Sequence, residues 1–136
     1  MPARTLIDVP HRVVFGVGEG RLTFLEIVKQ RVLLQTNPLF AADFRQVLFF
    51  DDVTDLQLFA QEVRLLAADD IFSATSRRAF VASVDAVARL AHLFAAYRAS
   101  GGPNIRVVET LVDAARWVEL DFVTVSRAIH GLRHNR

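Results

Sequence analysis

The hydrophobic pattern is clearest at residues 47–50, where Val47-Leu48-Phe49-Phe50 run without a polar break into Asp51-Asp52-Val53-Thr54-Asp55. An unbroken apolar run predicts a strand covered on both faces, as central strands of parallel sheets are. Its polar end puts carboxylates and a hydroxyl at the carboxyl end of a strand, where open α/β sheets carry their functional groups. Thr54 and Gln57 have the spacing of a capping box. A helix is therefore expected over Gln57 to Ala68, with Leu56, Phe59, Val63, Leu66 and Ala67 at helical spacing and Asp69-Asp70 at its end.

Upstream, Leu6-Ile7 and Val13 to Val17 predict β-rich stretches over residues 4–9 and 11–17, parted by Pro10-His11. Gly16, Gly18 and Gly20 predict a closing turn. Their G-x-G-x-G spacing is not that of the dinucleotide fingerprint. Thr23 and Glu26 form a capping box for a helix reaching about Leu34, with Leu25, Val28 and Val32 as its stripe. Asn37-Pro38 stops it, and Leu39 to Gln46 is a connector carrying Phe40 and Phe44.

Downstream, a polar loop over Ser73 to Arg78 leads into a strand over Ala79–Val84. Asp85 caps a helix carrying Val87, Leu90, Ala91, Phe94 and Tyr97, which Gly101-Gly102-Pro103 ends. Ile105–Val108 is a short strand, and Thr110 opens a helix from Leu111 to about Val118. Single strands alternating with single helices predict an α/β fold. Its sheet is mixed and mostly parallel, with an antiparallel N-terminal edge, about four helices and a further C-terminal helix.

Residues 1–120 make one domain and residues 121–136 an amphipathic tail. In the tail, Phe122, Val125, Ile129 and Leu132 are spaced three, four, three, and Leu111, Ala115 and Val118 extend the pattern backwards. Such a seam packs on its own domain or pairs with a second copy. A fresh cap at Asp121 would divide it into two helices.

Composition narrows the function classes. A chain of 136 residues supports one self-sufficient core. Sixteen cations against fifteen anions leave a net charge of +1, and the cations are scattered, so no nucleic-acid face is expected. The absence of cysteine excludes disulfides, thiolate metal sites and cysteine nucleophiles. No apolar run has the length of a membrane span and no leader pattern opens the chain, so a cytoplasmic protein is expected.

Several residues are candidates for chemistry. Asp51 and Asp52, with Asp55 or Glu109, have the oxygen ligands that Mg²⁺ takes. Adjacent strand residues point to opposite faces, however, so the pair is not a clamp, and hydrogen bonding in a turn is the simpler role. Thr54 caps a helix or, if phosphorylated, would meet that helix's free N–H groups. Ser73, Thr75 and Ser76 beside Arg77-Arg78 offer a second modification site or a solvated loop. His130 and His134 have the spacing of two metal ligands and lack a third, and His92 reads as a partly buried histidine. No nucleophile elbow, P-loop or zincin motif is present, so no enzyme and no cofactor is expected. Among the eleven phenylalanines, Phe40, Phe44, Phe59 and Phe72 fall in or near connectors, where the mouth of an apolar pocket would lie.

Over residues 4–120 the chain resembles the SpoIIAA-like group of bacterial domains, related to STAS and CRAL-TRIO domains. The resemblance rests on Gly20-Arg21-Leu22-Thr23, Asn37-Pro38-Leu39-Phe40, the apolar strand ending in Asp51-Asp52, the Arg78–Val84 strand and Ala114-Ala115-Arg116-Trp117-Val118. STAS antagonists keep a phosphorylated hydroxyl in an Asp-Ser-Ser-Gly motif after the central strand. Asp52-Val53-Thr54-Asp55 occupies that place here, with one hydroxyl and no glycine. The resemblance implies a non-catalytic regulatory or protein-interaction domain of anti-sigma-factor-antagonist type, with Asp51, Asp52, Thr54 and Asp55 as its partner face. The alternative it implies is binding of a small hydrophobic ligand such as a lipid. A protein partner, or a homodimer through the C-terminal helix, is expected with the first reading.

Overall fold

The computed structural model describes residues 2–98 and 104–134. In chain order the elements are β1 (Ala3–Asp8), β2 (Val13–Thr23), α1 (Phe24–Gln35), β3 (Arg45–Gln57), α2 (Ala60–Ala68), β4 (Arg78–Val81), α3 (Asp85–Arg98), β5 (Ile105–Val108), α4 (Leu111–Val118) and α5 (Phe122–His134). The strands lie in sequence order in one five-stranded sheet. β1 is antiparallel to β2, and every other neighbouring pair is parallel. The protein is thus an α/β domain of the expected class, an arrangement consistent with a STAS-like fold.

Each crossover steps one strand along the sheet, and crossovers of one hand leave their helices on one face. Phe24, Ile27 and Val28 of α1, Val63 and Leu66 of α2 and Phe94 of α3 accordingly pack together over Leu48, Phe50 and Phe80. α4 and α5 cover the opposite face, where Ala114, Ala115, Val118, Val125 and Ile129 meet Phe15, Val47, Phe49 and Val81. The tail is therefore part of the domain. The seam through Val118, Val125 and Ile129 is spent on the chain's own sheet. Glu119, in the left-handed region at φ 58°, breaks the predicted heptad run into α4 and α5.

Three sequence expectations fail. Gly16 and Gly18 form no turn; both lie in the middle of β2, which runs on to Thr23, and only Gly20 has a left-handed φ, of +60°. Thr54 caps nothing. β3 continues through it to Gln57, because β2 offers pairing partners as far as Thr23. α2 begins later, with Phe59 at its N-cap and the Glu62 carboxylate accepting the Phe59 N–H at 2.9 Å. The expected stop at Gly101-Gly102-Pro103 lies outside the described residues.

Between Val17↔Phe49 and Glu19↔Asp52, β3 carries one residue more than β2. A bulge of this kind reverses which side chains face which side of the sheet. Before it Val47 and Phe49 face α4 and α5; after it Val53 packs with Leu22, Ala82 and Val87 on the other side. The bulge also aims the two acids that follow Phe50.

Candidate functional site

Alternate residues of β2 build two different surfaces. Val13, Phe15 and Val17 belong to the core beneath α4 and α5. Val14, Gly16 and Gly18 face the other way and floor a cavity of about 160 Å³. A Cβ on Gly16 would stand 2.6 Å from Leu48 Cδ2, and one on Gly18 3.0 Å from Val53 Cγ2. The absent side chains thus let Leu48 and Val53 lie down against β2. Ile27 and Leu34 of α1, Val63 and Leu66 of α2, and Leu90, Ala91 and Phe94 of α3 complete the walls with Leu48, Phe50 and Phe80. α1 leans on β1 and β2 while α2 leans on α3, so the two helices straddle the space. Thr5 of β1 donates to Gln30 of α1 at 3.0 Å and ties down the α1 side.

One end of the cavity is polar. Asp70 follows α2, and its Oδ1 accepts the Phe72 N–H at 3.3 Å, an Asx turn that fixes the carboxylate inward. Its side chain is only 1% exposed, and three guanidiniums converge on it. Arg78 donates to it directly, Arg98 Nε stands 3.0 Å away, and Arg31 Nη2 stands 3.7 Å away. Arg78 also donates to Gln46 Oε1 at 2.9 Å and lies 4.4 Å from the centre of the Phe72 ring. Burial pushes the Arg78 guanidinium down to about 10, against the pull of Asp70, which leaves it charged at neutral pH. Burial likewise lowers Arg31, with Asp70 opposing.

The cavity does not coincide with the four phenylalanines proposed for a pocket mouth. Of these four, Phe72 lines the cavity. Phe40 packs edge-on against Phe72 and Phe44, at 5.2 and 6.1 Å between centroids, in a plug with Val14 and Leu34. Phe59 is 74% exposed and lines nothing. The signal that marks the cavity in the sequence is instead the alternation of Gly16 and Gly18 with Val13, Phe15 and Val17, since strand glycines leave room on one face.

The acidic strand end is divided between the two faces. Asp51 accepts the N–H and hydroxyl of Ser83, at 2.8 and 2.9 Å, and so joins the ends of β3 and β4. Asp52 takes Arg133 of α5 in a two-point contact at 2.7 and 3.0 Å. Thr54 is exposed, and Asp55, also exposed, accepts Gln57 Nε2 at 2.9 Å. Glu109 is exposed beyond β5. Among the described residues no three His, Asp or Glu side chains gather as metal ligands would. His130 and His134 lie with ring centroids 4.3 Å apart and planes tilted by 47° on exposed α5 positions, and His92 is exposed rather than partly buried. Ser73 and Thr75 share a hydroxyl contact of 2.8 Å, while Ser76 is buried and donates to Ala42 O.

Among the described residues no helix is long and apolar enough to cross a membrane. Comparison of the chain with family models, with curated proteins and with solved structures gives no match, so the cavity and the strand end stand as the two candidate sites on their own geometry.

Proposed function

We propose that this domain binds a small apolar molecule in the cavity between its sheet and the α1–α3 layer. The observation that carries this reading is the cavity itself, about 160 Å³ of space walled by Leu, Ile, Val and Phe in a domain whose other face is closely filled. Protein interiors are normally packed to crystal-like density, so space of this size needs a reason. An apolar cavity of about 150 Å³ stays dry and takes up benzene. Titration with toluene, followed by thermal unfolding, is expected to raise Tm, because a ligand held only by the folded state stabilises it. Ala91→Leu, which grows into the same space, is expected to abolish the rise. A toluene titration that leaves Tm unmoved sinks the reading.

The open end of β3 supports a second reading, a regulatory protein-interaction domain with its partner face at Asp51–Asp55. β4 pairs with β3 only as far as Phe49, whereas β2 follows β3 to Gln57. The β4-side edge of residues 52–57 is thus left without a strand beside it, as an added partner strand requires. A partner binding there is expected to protect the amides of residues 53–57 from hydrogen exchange, and unchanged exchange in the complex sinks this second reading.

A further inference from the structure

We propose that the cavity takes a small organic anion, a carboxylate on a single ring or a short chain, with its acid group paired to Arg31. This inference rests on the cavity-binding reading and names the ligand class. Its first support is a charge mismatch. Elsewhere among the described residues Arg4 pairs with Glu19 at 2.8 Å and Arg133 with Asp52 at 2.7 Å. At the cavity's polar end three guanidiniums share one buried carboxylate, with the exposed Asp69 as a further counter-charge to Arg31. Cations removed from water and left short of counter-charge favour an added anion.

The three arginines are not equivalent. Arg78 is held by Asp70, Gln46 and the Phe72 ring, which makes it a structural post. Arg98 Nε is buried beside Asp70 at 3.0 Å, at an angle that makes no hydrogen bond. Arg31 lines the cavity itself and is held more loosely than Arg78, by a 3.7 Å contact to Asp70, a 3.3 Å hydrogen bond to the Asp69 carbonyl and a position 5.9 Å from the centre of the Phe94 ring. Its fork is therefore the one that a carboxylate can take in the two-point geometry that guanidinium favours.

Size sets the rest of the molecule. Since about 150 Å³ accommodates benzene, the sheltered space suits one ring or a chain of about six to eight carbons, and a long-chain lipid would leave most of its chain outside the walls. The apolar walls then take the body of the ligand, and Arg31 takes its head.

Calorimetric titration of the wild-type protein with benzoate, toluene and hexadecanoate tests this without a variant. Benzoate is expected to bind at least tenfold more tightly than toluene, and hexadecanoate more weakly than benzoate. Arg31→Gln is expected to bring benzoate down to the level of toluene, and Arg31→Lys to keep part of the difference. Toluene binding as tightly as benzoate overturns the anion while leaving the cavity reading intact. Hexadecanoate binding more tightly than benzoate overturns the size argument. No binding of any of the three overturns both readings together.

Discussion

The two faces of the sheet are made by the same strands and finished differently. Beneath α4 and α5, Val13, Phe15, Val47, Ala79, Val81, Ala114, Val118, Val125 and Ile129 have at most 1% of their surface exposed. The polar groups at that face are also matched. Trp117 Nε1 donates to the carbonyls of Arg78 and Asn104 at 3.1 Å each, and Arg45 closes the end of α4 by donating to Val118 O at 2.8 Å. Beneath α1, α2 and α3, many of the wall residues are only partly buried, and they enclose a cavity of about 160 Å³. The difference begins with two glycines in β2, which withdraw side-chain volume from one face while their neighbours fill the other. One face is thus a core in the ordinary sense, and the other is a core with its centre left out.

Large-to-small substitutions should separate the faces most. Ile129→Ala removes a fully buried side chain from the filled face, and about 4 kcal/mol of unfolding free energy is expected to go with it. Leu48→Ala at the cavity wall should lose about 2 kcal/mol, since Leu48 already lacks neighbours on its cavity side. Urea denaturation of both variants measures this directly. Equal losses would mean that the two faces are equally packed.

The polar end of the cavity should respond almost as strongly. Asp70→Asn leaves three guanidiniums without their shared carboxylate, one of them 4% exposed, and about 3 kcal/mol of destabilisation is expected. If the same site holds an organic anion, benzoate should restore more stability to this variant than to the wild type, because the ligand supplies the missing charge. Parallel thermal melts with and without benzoate give that difference, and a smaller gain in the variant would count against an exchangeable counter-charge.

Much of the fold was legible because its signals are local. Thr23 and Thr110 cap α1 and α4 as their spacing predicts, accepting the N–H groups of Glu26 and Asp113 at 3.3 and 3.1 Å. Thr54 carries the same signal and fails it, because pairing with the long β2 draws residues 51–57 into the sheet. The pairing partner lies more than thirty residues away, where a capping pattern has no view of it. Thr110→Val should therefore lose about 1 kcal/mol, and Thr54→Val, exposed on a strand and still β-branched, less than about 0.5 kcal/mol. The arginine site was illegible for a related reason. Arg31, Asp70, Arg78 and Arg98 come from α1, the loop after α2, β4 and α3, and only the crossover topology brings them together. The cavity floor lay open to inspection in the alternating glycines, which the turn-like spacing of Gly16, Gly18 and Gly20 disguised.

A stability change no larger than that of Thr54→Val belongs to the substitution that should alter the cavity most. Gly16→Ala adds a methyl group 2.6 Å from Leu48 Cδ2, too close to keep. The atom in the way is the far end of a flexible side chain, and empty space lies beside it, so Leu48 can swing into the cavity. A strand glycine replaced by alanine gains roughly 0.5–1 kcal/mol in backbone entropy. Moving Leu48 from its preferred rotamer costs about the same. The net change in unfolding free energy is therefore expected to stay within about 0.5 kcal/mol of zero. Ligand uptake should nevertheless fall sharply, because the displaced Leu48 occupies the floor of the site. Gly16→Ala tested for both stability and toluene binding thus tells a cavity kept for a ligand from a mere packing fault. Intact stability with lost binding supports the former. A stability gain of 1 kcal/mol or more, with binding unchanged, would show that Leu48 fills space no ligand uses.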